Sequence, residues 1–193
     1  LGKEDNWWGP VGGQGPCGPD TEIFWDWGEE YCPDCPGPGH GCDRFSEIWN
    51  LVFTQYEAQP DGTLRELKRK NIDTGMGLER TTAVLEGVRS DFDTDLFRPI
   101  CEEIETLSRV AAERTAERNL VADHIRALVF LIADGVLPGN EKQGYVLRRV
   151  LRRAVRAADR LGLPEGILVR LVDPVVATLG DIYPEIVERR RLV

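Results

Sequence analysis

The hydrophobic pattern of this 193-residue chain changes period once, near Asp91, and that change limits the fold more than any single motif. Ahead of it, Thr21 to Trp27 and Phe45 to Tyr56 are rich in Ile, Val, Phe, Tyr and Trp and read as strands. The second is long and mostly apolar, as expected of a strand central in a sheet. Asp61-Gly62 is a turn signal, and Leu64, Leu67 and Ile72 beyond it suit a further strand, which predicts a hairpin and antiparallel architecture. Trp7 to Gly18 is too dense in Gly and Pro for a regular element and is expected to be a loop whose backbone approaches something closely. Gly75 and Gly77 are read as opening a helix that runs to about Leu85 and is stopped by Gly87. After Asp91 only helical patterns follow: Leu96 to Val110, Asn119 to Asp134 closed by Gly135, Tyr145 to Leu161 closed by Gly162, then Pro164 onward. The expectation is an α+β chain of two domains, 1–90 and 91–193, with the boundary near Ser90 to Asp93.

Hydrophobic residues make up 41% of the chain, with no apolar run near the roughly 18 residues needed to cross a bilayer, so a soluble protein with no membrane partner is expected. The first ten residues are polar and charged, unlike a secretory signal, and a cytoplasmic location is the default. The chain starts without methionine and its helical pattern runs on to the end, so a piece of a longer protein is expected. Net charge is −9, unevenly spread: residues 1–100 hold 9 Lys/Arg against 19 Asp/Glu, and residues 101–193 hold 15 against 14. Lys142 to Arg170 carries eight basic and two acidic residues, a local field suited to a polyanion.

Three of the five cysteines crowd beside a histidine in the order C-x2-C-x4-H-x-C: Cys32, Cys35, His40 and Cys42. Four soft donors at that spacing can surround a tetrahedral ion, and the intervening glycines and prolines let the chain fold back on it; zinc is the metal expected. The alternative is a set of reduced surface cysteines in an insertion. Cys17 is a substitute ligand, and Cys101, beside Ile100 and Ile104, reads as core.

Asp73-Thr74-Gly75-Met76-Gly77-Leu78-Glu79-Arg80 runs from a strand end into a helix. Glycines without Cβ let a ligand lie against the backbone, helix-start N–H groups suit an anion, and a guanidinium one turn in can stack on a base and reach phosphate oxygens. The bland alternative is a tight turn with a solvated arginine, and for Asp73 a helix cap. In Tyr145 to Leu161 one face is apolar, with Leu147, Val150, Leu151, Ala154, Ala158 and Leu161, while Arg148, Arg149, Arg152, Arg153, Arg156 and Arg160 fill the rest. A solvated face, a membrane surface and RNA all suit that helix.

The Asp73 to Arg80 segment resembles motif 3 of class II aminoacyl-tRNA synthetases in the form that alanyl-tRNA synthetases carry. Asn6-Trp7-Trp8 with Gly15-Pro16-Cys17-Gly18-Pro19, Glu47 to Phe53, Ala122 to Arg126, and Asn140-Glu141 with Gly144 to Arg149 resemble the same family in the same order. The resemblance implies alanine, ATP with Mg²⁺, and the acceptor stem of tRNA(Ala) as partners: alanine is activated to alanyl-adenylate and passed to the tRNA 3′ end. It assigns Asp73 to the alanine ammonium, Gly75 to the methyl pocket, and Trp8 and Asn50 to the amino-acid wall. It gives Gly77 and Arg80 to ATP, with Arg80 stacked on adenine, and Glu47 to Mg²⁺, though a strand glutamate often only pairs with a neighbouring base. Asn140 corresponds to an asparagine that contacts a G·U wobble pair, and Arg148, Arg149, Arg152, Arg153 and Arg156 to RNA phosphates. The upstream class II signatures, one of which grips the α-phosphate, do not appear in these residues, so the 193 residues by themselves are expected to be inactive. A non-catalytic tRNA-binding or amino-acid-binding relative is the other reading.

Overall fold

A computed structural model describes residues 2–192, which divide into two compact units between Gly87 and Val88. In the first, β1 (Trp7–Trp8), β2 (Gly15–Asp26), β3 (Phe45–Ala58) and β4 (Leu64–Met76) form an antiparallel sheet in chain order, followed by helix α1 (Leu78–Glu86). The hairpin turn between β3 and β4 is built as expected: Asp61 Oδ1 accepts from the Thr63 backbone N–H at 2.9 Å and from its hydroxyl at 2.7 Å, with Gly62 at φ 82°.

Trp7 to Gly18 is not a loop throughout. Its ends enter the sheet as β1 and the start of β2, separated by a short 3₁₀ turn at Val11–Gly13. The ladder between β2 and β3 slips between Cys17 and Asp20, and a Cβ at Gly18 would lie 2.0 Å from the Phe53 carbonyl oxygen. Only glycine passes there, and Pro19, which has no N–H to donate, sits in the same irregularity. The glycine and proline density therefore marks a bulge inside a strand. Cys17 is fully buried in this sheet opposite Tyr56 and is no part of the Cys/His group.

Gly75 also departs from the expected helix start. It is still paired in β4, opposite Asn50, and Gly77 is the residue that precedes α1, with its N–H donated to the Ile48 carbonyl at 3.1 Å. The helix ends at Gly87 in the left-handed region, φ 70°, as a C-terminal glycine does.

The second unit is helical among the described residues: α2 (Arg98–Leu107), α3 (Thr115–Ala133), α4 (Lys142–Arg160), α5 (Ile167–Arg170), α6 (Val172–Leu179) and α7 (Pro184–Glu188). Its core gathers Ile100, Cys101 and Ile104 of α2, Val121, Ile125 and Val129 of α3, and further residues from α4 onward. Cys101 is thus a packing residue, and burial pushes its thiol up to about 11. The stretch after Pro164 is broken into three short helices, with Gly166 at φ 77° at the first break. No helix among the described residues is long and apolar enough to cross a membrane.

Candidate functional site

In an antiparallel ladder, directly opposed residues project to the same face, and so do residues two apart on one strand. Asn50 is opposite Glu22 on one side and Gly75 on the other, while Val52 is opposite Asp20 and Asp73. Asp20, Glu22, Asn50, Val52, Asp73 and Gly75 therefore share one face of three adjacent strands. Asn50 Nδ2 donates to Asp20 Oδ2 and to Glu22 Oε1, each at 3.1 Å. Val52 is buried and supplies an apolar floor. Burial, then the charge of Glu47, holds the Glu22 carboxyl above its ordinary range, with Asp20 and Asp5 adding repulsion and the Asn50 hydrogen bond opposing them.

Gly75 has no packing reason to be glycine. Its φ is not in the left-handed region, and a Cβ there would meet nothing within 4 Å. A glycine inside a strand weakens it, and neither the backbone conformation nor a neighbouring atom requires one here. Asp73 does not cap α1: it lies within β4, four residues ahead of Gly77. Trp8 is on β1, opposite Gly18 and 41% exposed, with β2 between it and the strand of Asn50. Trp7 beside it stacks on Tyr56 at 5.8 Å between ring centroids.

Arg80, in the first turn of α1, turns back onto β3. Its Nη1 donates to the Glu47 backbone carbonyl at 3.0 Å and faces Glu47 Oε2 at 3.4 Å, with both side chains partly exposed. Glu47 thus has the neighbouring base that the sequence left open as its role. This approach does not require a glycine at position 77, since a Cβ there would sit at an ordinary contact distance of 3.6 Å from the Arg80 side chain.

Between β2 and β3, one ligand atom from each of Cys32, Cys35, His40 and Cys42 lies within 4.8 Å of the others. Zn–S bonds of about 2.3 Å at tetrahedral angles separate ligand atoms by roughly 3.8 Å, so this donor set fits that ion. The Cys35 and Cys42 sulfurs are 3.2 Å apart. His40, the Arg44 backbone N–H and Cys35 bring the Cys42 thiol down to about 6, whereas its hydrogen bond to Cys42 and burial push Cys32 up to about 11. The base of the insertion is clamped by Arg44, which donates through Nε and Nη2 to the two Asp26 carboxylate oxygens at 2.7 Å each and through Nη1 to the Cys32 carbonyl at 3.5 Å. Arg44 and the Gly28 N–H hold the Asp26 carboxyl down at about 2. Neither residue stood out in the sequence, because the pair spans the whole insertion.

In the second unit, Arg149, Arg152, Arg153, Arg156 and Arg160 are exposed along α4, while Leu147, Ala154, Ala157 and Ala158 are buried. Arg148 differs from the others: it is half-buried, and its Nη1 donates to Asn140 Oδ1. Asn140 stands just ahead of α4, whose preceding residue is Glu141, and no side chain caps the helix. The loop's shape depends on Gly144, where a Cβ would lie 2.7 Å from the Leu137 carbonyl oxygen. At the far end of α4, Arg153, Arg156 and Arg160 line a cleft of about 350 Å³ with Glu117 of α3.

A family model described as tRNA synthetases class II (A) matches residues 1–193. The chain is 54% identical over 203 residues to the alanine–tRNA ligase of Thermotoga maritima, covering 100% of this chain and 23% of that protein. It is 48% identical over 198 residues to that of Halorhodospira halophila, with 100% and 22% covered, and 48% identical over 203 residues to that of Rubrobacter xylanophilus, with 98% and 23% covered. The chain spans less than a quarter of the length of these curated relatives.

Proposed function

The chain belongs to the class II tRNA synthetases, and from that premise we propose that it carries part of the alanine-activation site and the first RNA-binding helices of an alanine–tRNA ligase. The observation that carries the reading is the register that puts Asp73, Asn50 and Gly75 on one face, over the buried Val52 and beside open space. A carboxylate and an amide there suit the ammonium of a small amino acid, and an unfilled Gly75 leaves room for its methyl group.

In this proposal the reaction proceeds by attack of the alanine carboxylate on the α-phosphorus of ATP, which forms alanyl-adenylate and releases pyrophosphate. The alanyl group then passes to a terminal ribose hydroxyl of tRNA(Ala), and AMP leaves. Most of the rate comes from holding the reactants and stabilising charge. Arg80, gripped at one edge by Glu47, keeps its flat face for adenine. Glu47 is the oxygen donor assigned to Mg²⁺, which when bound would neutralise phosphate charge. Gly77 lets the nucleotide approach the start of α1, Trp8 belongs to the amino-acid wall, and zinc is held by Cys32, Cys35, His40 and Cys42.

Asn140 with Arg148 would read a base edge in the shallow RNA minor groove, and Arg149, Arg152, Arg153 and Arg156 would meet phosphates. A cytoplasmic location and inactivity of the 193 residues by themselves belong to the same proposal.

The test is alanine-dependent exchange of pyrophosphate into ATP by the natural gene product. Exchange that depends on alanine and falls on Asp73→Asn supports the reading. Tight tRNA(Ala) binding with no exchange would favour a binding module without catalysis.

A further inference from the structure

We infer that Glu22 and Asp20 are positioning residues of the amino-acid site, holding the Asn50 amide so that its carbonyl oxygen, and not its NH2 group, is offered to the substrate. The inference rests on the alanine-activation reading above and adds two residues and a direction to it.

A side-chain amide has two N–H donors and one carbonyl acceptor, and which end faces a ligand follows from what the other end is bonded to. Asn50 Nδ2 spends its hydrogens on Asp20 Oδ2 and Glu22 Oε1, both at 3.1 Å and both on β2. The register makes this specific, because Glu22 is directly opposite Asn50 and Asp20 is opposite the next residue on the same face, Val52. With both carboxylates ionised, turning the amide over would set its oxygen against two carboxylate oxygens, with no hydrogen between them. That arrangement is repulsive, so one orientation is fixed.

What remains is a set of acceptors. Asn50 Oδ1 and Asp20 Oδ1 are buried and have no hydrogen-bond partner among the described residues. Asp73 projects to the same face, opposite Val52, and Gly75, directly opposite Asn50, leaves the space beside it open. Buried oxygens without donors are costly, and a ligand that brings several N–H groups and a positive charge relieves the cost. An ammonium group does so with three donors, and a carboxylate does the reverse. Upward displacement of the Glu22 carboxyl by burial and by Glu47 has the same sense, since a group that holds its proton more tightly stands where positive charge is wanted. The amino end of the substrate therefore belongs over Asn50 and Asp73, with its carboxylate directed away from β2.

The experiment measures alanine-dependent pyrophosphate exchange by the natural gene product, with the KM for alanine and for ATP taken separately. Alaninol, which keeps the ammonium and methyl groups but lacks the carboxylate, serves as a competitive probe. Glu22→Ala is expected to raise the alanine KM and the alaninol Ki by the same factor, roughly tenfold for a lost charge-assisted contact, and to leave the ATP KM unchanged. Glu22→Gln keeps an acceptor oxygen for Asn50 and is expected to restore both values to within about threefold. Asp20→Asn, which introduces competing donors without a change of shape, is expected to raise the alanine KM as well.

Three results would overturn the inference while the alanine-activation reading stands. They are an alanine KM indifferent to Glu22→Ala and Asp20→Asn, equal rises in the alanine and ATP KM values, and a raised alanine KM with an unchanged alaninol Ki. Wild-type protein without alanine-dependent exchange would overturn both.

Discussion

Asn140 and Arg148 are joined across the start of α4, the loop amide accepting through Oδ1 from the arginine Nη1. The loop residue is thereby tied to the second turn of the helix, and its amide does not serve as the helix cap. Arg148 is half-buried where the other arginines of the row are exposed, so the two residues act as one unit. In the natural gene product Asn140→Ala is expected to reduce discrimination between acceptor stems with G·U and with G·C, and Arg148→Ala to do the same by releasing the amide. Arg152→Ala is expected to weaken both RNAs alike and to reduce the salt slope by about 1. Binding titrations of the two stems at several salt concentrations check this; equal loss for both stems on Asn140→Ala would remove the residue from recognition.

Asp73 and Gly75 separate binding from stability in opposite ways. Asp73→Asn removes the charge from the ammonium site and is expected to lower kcat/KM for alanine by about 10 to 150 fold, the range of a charged hydrogen bond worth roughly 1.5 to 3 kcal/mol. Binding of tRNA should hardly change, because the basic helix is in the other unit. Exchange kinetics beside tRNA titrations decide it, and an unchanged kcat/KM for alanine would exclude Asp73.

Gly75→Ala should leave the fold at least as stable, since the added Cβ meets nothing and alanine costs less backbone entropy than glycine. Alanine activation should nevertheless fall, because the methyl group enters the space proposed for substrate. A melting curve together with the alanine KM checks the pair of outcomes. Loss of both stability and activity would mean that Gly75 serves the strand.

Strands, hairpin and helices were legible because each rests on a local period or a turn residue. The Cys/His group was legible for the same reason, since its four members fall within eleven residues and the fold had only to close a short loop. Asp20 and Glu22 were not. What they face depends on two slips in the β2–β3 ladder, at Cys17/Asp20 and Ile23/Phe24. A slip of one residue turns every later side chain to the other face, and nothing in the spacing of residues announces it. Gly18 reads as loop from local composition, because the close approach of the Phe53 carbonyl that requires it comes from another strand. The Arg44–Asp26 pair carries no local signal for the same reason: the partners are 18 positions apart and meet only when the insertion closes.

Zinc is expected at about one ion per chain by elemental analysis, with Zn–S distances near 2.3 Å by X-ray absorption. Cys32→Ser and Cys35→Ser should each release it. Arg44→Ala should lower the affinity by about 10 to 100 fold without removing a ligand, as loss of an outer support does, because Arg44 joins the Cys32 carbonyl to Asp26. A fully folded, metal-free wild-type chain would leave the group as four reduced side chains in an insertion.

Glu22 provides a pH dependence whose sign can be worked out. Its folded pKa is raised above the ordinary 4.5, chiefly by burial and then by the charge of Glu47, with Asp20 and Asp5 adding to it and Asn50 opposing. A carboxyl that binds its proton more tightly folded than unfolded stabilises the fold fully below the unfolded value, and that contribution is lost as pH rises through the folded value. Wild-type protein should therefore lose stability relative to Glu22→Gln as pH rises from 4.5 through the raised value, and the two should converge below 4.5. Binding should run the other way, because the ionised carboxylate is the stronger acceptor for the Asn50 amide and favours a cation nearby. The alanine KM should accordingly fall as pH rises through the same window, and the fall should be absent in Glu22→Gln. Melting temperatures and alanine KM values at matched pH for both proteins make the comparison. Parallel profiles for wild type and Glu22→Gln would assign the titration to another group.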